Sequence, residues 1–215
     1  MPLMIKLNRN IMKVYLSLDN GHFITVDKLA DFIKHHPEMN LHLHYGNTAE
    51  LLKLLEQGKI HMAIVEGNYP KEKYSHKKYS TEDYIAVCAA SHEFKNIPHT
   101  LHDLLDERLL VREQGSGTRH ILQESLNVRG LSISDFKYYT QIENMHTIIS
   151  LLKKDCGISF MYKTAVKEEL QKCVLKEIVL DDFKLQHNFE FIWEKDSLFT
   201  DKYISISEEF FTVPF

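Results

Sequence analysis

The sequence predicts an α/β fold built as two units lying side by side, and three observations carry that prediction. Short apolar runs alternate with stretches of helical period twice over, once before residue 66 and again after residue 108. The runs at 60–65 and 158–161 are almost continuously apolar, the mark of strands covered on both faces. Each α/β unit is too small to bury itself well, so the two pack together and the chain crosses between them near residues 80–88 and 187–193.

Residues 14–18 (Val-Tyr-Leu-Ser-Leu) read as the first strand, and Asp19-Asn20-Gly21 is the turn that ends it. A helix follows with Val26, Leu29, Ala30, Phe32 and Ile33 on one face. It stops near His36, because Pro37 disfavours helical backbone at the residue before it. Leu41-His42-Leu43-His44-Tyr45 alternates strictly, as a half-buried strand does. Gly46-Asn47-Thr48-Ala49-Glu50 starts a second helix: Asn47 and Glu50 have capping-box spacing, and Gly58 is placed to end it. After the strand at 60–65, residues 66–80 are polar and expected to form a connecting loop. Lys71, Lys73, Lys77 and Lys78 alternate there with Tyr69, Tyr74 and Tyr79, a mixture that can grip nucleic acid by phosphate contact and stacking. The net charge of −4 favours a solvated loop instead.

In the second unit, residues 84–90 form a strand and 100–105 a short helix, with Thr100 and Asp103 suited to its start. Leu109-Leu110-Val111 is a strand that runs into Arg112-Glu113-Gln114-Gly115-Ser116-Gly117-Thr118-Arg119, and a helix follows over 118–127. Strands at 136–142, 158–161 and 175–180 alternate with helices at 143–154 and 164–170. A strand at 189–193, a turn at Glu194-Lys195-Asp196 and a helical face at 203–211 complete the chain.

The Gly-Ser-Gly-Thr turn carries the chemistry. A strand that turns into a helix there leaves backbone N–H groups pointing outward, next to two hydroxyls and the positive end of the helix dipole. That is a seat for a carboxylate, phosphate or sulfate. A plain tight connection is the competing explanation. Catalytic motifs do not fit: Glu113 and Gln114 stand where a nucleophile elbow needs glycine, no lysine follows as in a phosphate-binding loop, and His120 breaks any dinucleotide fingerprint. An enzyme is not expected, nor is a cofactor. Thirteen histidines invite a metal, yet His42, His44, His35 and His36 lack carboxylate or cysteine partners at ligand spacing, so none is expected. Cys88, Cys156 and Cys173 are sparse and read as reduced thiols of a cytoplasmic protein. No apolar stretch is long enough to span a membrane, and the N-terminus is no signal peptide.

The assembled pattern resembles the effector-binding domain of LysR-type transcriptional regulators over nearly the whole chain. The pieces that carry it are Phe32-Ile33-Lys34-His35-His36-Pro37, Gly46-Asn47-Thr48-Ala49-Glu50-Leu51-Leu52, and the run from Leu55-Glu56-Gln57-Gly58 to Ile64-Val65-Glu66-Gly67. The Arg112 to Arg119 stretch, Cys156-Gly157 before 158–161, and Trp193-Glu194-Lys195-Asp196 complete it. The resemblance implies two Rossmann-like lobes joined by two crossover strands, like type 2 periplasmic binding proteins. Residues 11–83 with 192–215 would be lobe I, 84–191 lobe II, and 1–10 an extension or linker remnant. It also implies a small, anionic effector in the interlobe cleft. The effector would be touched by Ser17, Asp19 and Asn20, by Thr48, by Glu66 and Gly67, by Gln114, Gly115, Ser116, Gly117 and Thr118, and by Asn144. Thr48 and Asn144 suit helix capping equally well, and the Asp19 carboxylate would repel an anion. Arg112 and Arg119 could offer charge to a carboxylate. Family members carry an N-terminal winged helix-turn-helix that is not in these residues, so DNA contact is expected only through such a domain. A homodimer or homotetramer is expected, with the helix at 26–36 set against a second-lobe helix of the partner. The alternative is a solute-binding protein of a transport system.

Overall fold

The computed structural model describes residues 11–17, 26–66 and 69–212. Strand β1 (Ile11–Ser17) pairs in parallel with β2 (Asn40–Gly46) on one side and β3 (Met62–Glu66) on the other. Helices α1 (Val26–His35) and α2 (Thr48–Glu56) form the crossovers, as parallel neighbours require. The Asn47 side chain accepts the Glu50 N–H at 3.0 Å while Glu50 takes the Asn47 N–H at 3.1 Å, so the capping box read from spacing is present. Gly58, at a φ of 62°, lets the chain leave α2 in the left-handed region.

The second half repeats the scheme. Strand β5 (Arg108–Val111) lies in parallel between β6 (Tyr138–Gln141) and β7 (Ile158–Tyr162), with α3 (Gly117–Asn127) and α4 (Met145–Leu152) as the crossovers. Where a helix at 164–170 is expected, a 3₁₀ turn at Lys163–Val166 precedes a short α5 (Lys167–Gln171), and β8 (Leu175–Ile178) follows.

The two halves are joined by β4 (Tyr74–Ala89) and β9 (Leu185–Glu194), which pair antiparallel along their lengths. Strand β9 also pairs with β3, and β4 with β7 and β8, so the sheet order is β2-β1-β3-β9-β4-β7-β5-β6 with β8 beside β4. Helix α6 (Thr200–Thr212) packs against α1, where His36 Nε2 meets the Glu209 carboxylate at 2.5 Å.

The expected loop at 66–80 is the main correction, because residues 74–80 are the first part of β4. Strict alternation is hidden there: Tyr79 and Tyr84 pack into the same cluster although an odd number of positions separates them. A register shift between Lys78 and Ser80 absorbs the odd residue, so that Tyr79, set against Phe191, and Tyr84 reach the same core. One cluster centred on Leu51, Leu55, Ala63 and Val65 packs α2 onto the first half. Another, of Val87, Leu110, Ile148 and Leu152, packs α4 onto the second. A third, with Ile64, Tyr84, Leu122, Phe189 and Trp193, runs through both halves.

Candidate functional site

Two helix N-termini meet across the junction of the halves. Thr48 opens α2, while Ser116 caps α3 and Gly117 opens it, with the Ser116 side chain accepting the Arg119 N–H. The contact between them is direct. The Ala49 N–H reaches the Gly115 carbonyl at 3.4 Å, and Asn47 Nδ2 donates to Glu113 Oε1 at 3.3 Å. Gly115 sits at a φ of 90°, a conformation that side chains avoid, and this brings its Cα against the Asn47 side chain.

Glu66, at the end of β3, lies beneath this contact and is completely buried. Thr118 Oγ1 donates to Glu66 Oε1 at 3.2 Å, and the Tyr162 hydroxyl lies beside the same carboxyl. A Cβ on Gly117 would sit 2.7 Å from Glu66 Cδ and 3.1 Å from Thr48 Oγ1, so only glycine allows this approach. Among the described residues no ion pair reaches Glu66. Burial therefore dominates and raises its pKa to about 8, against the weaker opposing pull of hydrogen bonds from Thr118 and Tyr162. The same burial raises the Tyr84 and Tyr162 phenols well above 10, with the nearby Glu66 carboxyl adding to it. Tyr84 in turn donates to the Thr118 carbonyl at 2.8 Å and fixes the first turn of α3. Thr48 Oγ1 is buried and has no hydrogen-bond partner among the described residues.

Thus Thr48, Glu66, Ser116, Gly117 and Thr118 come together, and Gln114 and Gly115 lie exposed at the rim. Asn144 is exposed and caps α4 by accepting the Thr147 N–H at 2.9 Å; no described contact joins it to the Glu66 cluster. Ser17 ends β1, paired with Gly46. Asp19, Asn20 and Gly67 lie outside the described residues.

The arginines have other work. Arg112 is held by Glu113 through Nε at 2.8 Å and Nη2 at 3.0 Å. Arg119, on the buried side of α3, donates from Nη1 to the Arg112 carbonyl at 2.9 Å and to Gln141 at 2.7 Å. Both therefore organise the turn from behind. Sequence reasoning did not single out Tyr84, Tyr162 or the bridging role of Glu113. The tyrosines look like ordinary strand residues, and no local pattern marks them.

Comparison with known proteins places this geometry. The model of the LysR substrate binding domain matches residues 17–202. A probable RuBisCO transcriptional regulator of Trieres chinensis is 22% identical over 171 residues, covering 77% of this chain and 55% of that protein. The HTH-type transcriptional regulator CysL of Bacillus subtilis is 22% identical over 182 residues, covering 84% and 60%. The chain thus spans little more than half the length of these relatives. The solved regulatory domain of Synechocystis CcmR in complex with 2-PG superposes with a TM-score of 0.78 at 17% identity, over 92% of this chain and 95% of that one. The reduced regulatory domain of OxyR2 from Vibrio vulnificus gives 0.78 at 16% identity, over 94% of each. These likenesses establish the type 2 periplasmic-binding-protein-like fold, two lobes joined by two crossover strands. The chain belongs to the LysR substrate binding domain family.

Proposed function

We propose that this chain is the effector-sensing part of a LysR-type transcriptional regulator and binds a small anionic metabolite between its lobes. The observation that carries the proposal is the convergence of two helix N-termini, at Thr48 and at Ser116–Thr118, on one buried point at the lobe junction. Helix dipoles and hydroxyl donors favour negative charge there, and the unpartnered Thr48 hydroxyl is available to a ligand oxygen. Similarity to a regulatory domain solved with 2-PG supports a small ligand.

In this account residues 11–83 with 192–215 move against 84–191. The effector acts by binding one arrangement of the lobes more tightly than the other. The change passes through a homodimer, with Ile33 on the exposed face of α1 at the contact, to a DNA-binding domain. Setting is cytoplasmic, and the chain binds rather than turns over its ligand. A thermal-shift screen of anionic metabolites on the purified chain should find a stabilising compound. Its affinity should fall roughly tenfold in Thr48→Val, which removes the unpartnered hydroxyl and keeps the shape. Unchanged affinity in calorimetry would place the ligand elsewhere.

A further inference from the structure

An anion-binding cleft does not ordinarily need a buried carboxyl at its floor. Glu66 is enclosed from four elements, and what faces it is Thr48 from α2, Gly117 and Thr118 from α3, Tyr84 from β4 and Tyr162 from β7. No group in that shell carries charge at neutral pH, since burial keeps both phenols un-ionised. An ionised Glu66 would repel an incoming anion across a short, dry distance. An un-ionised Glu66 has an O–H to donate, and it would stand with the Thr48 hydroxyl as one of a converging set of donors.

We infer that Glu66 is the specificity-determining residue of the cleft and that it takes an anionic effector as an acid–anion pair, its carboxyl O–H donating to a ligand oxygen. This rests on the effector-cleft reading above and adds the charge state under which the cleft accepts its ligand. The proton stays on Glu66 in the complex. Where Glu66 is ionised beforehand, that proton comes from solvent, so anion uptake and proton uptake become one event. The position of its pKa, about 8, fits this role: at neutral pH the acid form prevails, and a neighbouring anion holds the proton more firmly.

Sulfate is a suitable probe, because its charge is constant from pH 6 to 10. Its binding is measured by calorimetry at fixed ionic strength, on the wild type and on Glu66→Gln, which keeps a donor and cannot ionise. Wild-type affinity should be level below about pH 7.5 and fall by up to tenfold per pH unit above about pH 8. The variant's affinity, whatever its value at pH 7, should stay level throughout. Equal pH dependence in both proteins overturns the inference, as does a level wild-type profile. Methylammonium binding that strengthens above pH 8 overturns it too, because it would mark a cation site. Sulfate binding by neither protein also overturns the acid–anion pair. A metabolite found by thermal shift and weakened by Thr48→Val would then still stand for the cleft, so the two proposals fail separately. Infrared difference spectra guard against a misfolded variant: wild type at pH 7 should show the carbonyl stretch of one un-ionised buried carboxyl that Glu66→Gln lacks. Absence of that band refutes the proposal outright.

Discussion

At the scale of the residue, Glu66 is the buried acid at the junction of the halves whose ionisation bears on stability. Its carboxyl has an ordinary pKa of 4.5 in an unfolded chain and about 8 in the fold, so the folded protein holds more protons between those values. Stability attributable to Glu66 is therefore fully present below pH 4.5 and declines as pH rises towards 8. The decline amounts to on the order of 5 kcal/mol for a shift of this size. Urea titrations of wild type and Glu66→Gln should show the difference growing in favour of the variant from pH 5 to pH 8 and levelling above. A constant difference would mean that the carboxyl is ionised in the fold. Sequence alone put Glu66 at the end of a strand, and the family resemblance implied a ligand contact there, but neither indicated its charge state. That depends on Tyr84, Tyr162 and Thr118, residues far apart in the chain, which exclude water around it.

Among the elements, the pairing of α3 with the end of β3 is the tightest feature of the site. A side chain at Gly117 meets the Glu66 carboxyl, so Gly117→Ala should destabilise the protein by about 1–3 kcal/mol. In a Glu66→Ala background the same change should cost much less, because the obstructing carboxyl is gone. A denaturant cycle over the four proteins checks this, and additive costs would show that the crowding lies elsewhere. Element type and order were largely legible, since alternation, capping spacing and Gly58 are local signals. The capping box of Asn47 and Glu50 formed as its spacing indicated. Strand β4 was not legible before residue 84. Its lysines and serines give it the composition of a loop, and the register shift beside Tyr79 breaks the two-residue period that reveals a strand. Arg119 could not be placed from local pattern, because its acceptors, the Arg112 carbonyl and the Gln141 side chain, lie 7 and 22 positions away.

For the whole molecule, Asn47 is one side chain that links the two halves. Its carbonyl oxygen caps α2 while its amide reaches Glu113 on the opposite half. Asn47→Asp keeps the capping acceptor and replaces the bridging donor with a charge beside the Glu113 carboxylate. We expect α2 to persist and the lobes to part. The radius of gyration from small-angle scattering should rise with helical circular dichroism unchanged; an unaltered radius would assign the closure to other contacts. The β4–β9 ribbon gives that parting its form. Two paired strands resist stretching and in-plane bending but yield to twist, so under this prediction the ribbon would work as a torsion bar with a lobe on each side. Strand β2, three places from β9, lies about 14 Å from that axis at ordinary strand spacing. A turn of about 10° at the ribbon, too small to break its hydrogen bonds, would then sweep the outer edge through about 2.5 Å. A gain of that kind is a lever arm: a ligand between the lobes would do its work near the fulcrum, and the displacement would be collected at the rim.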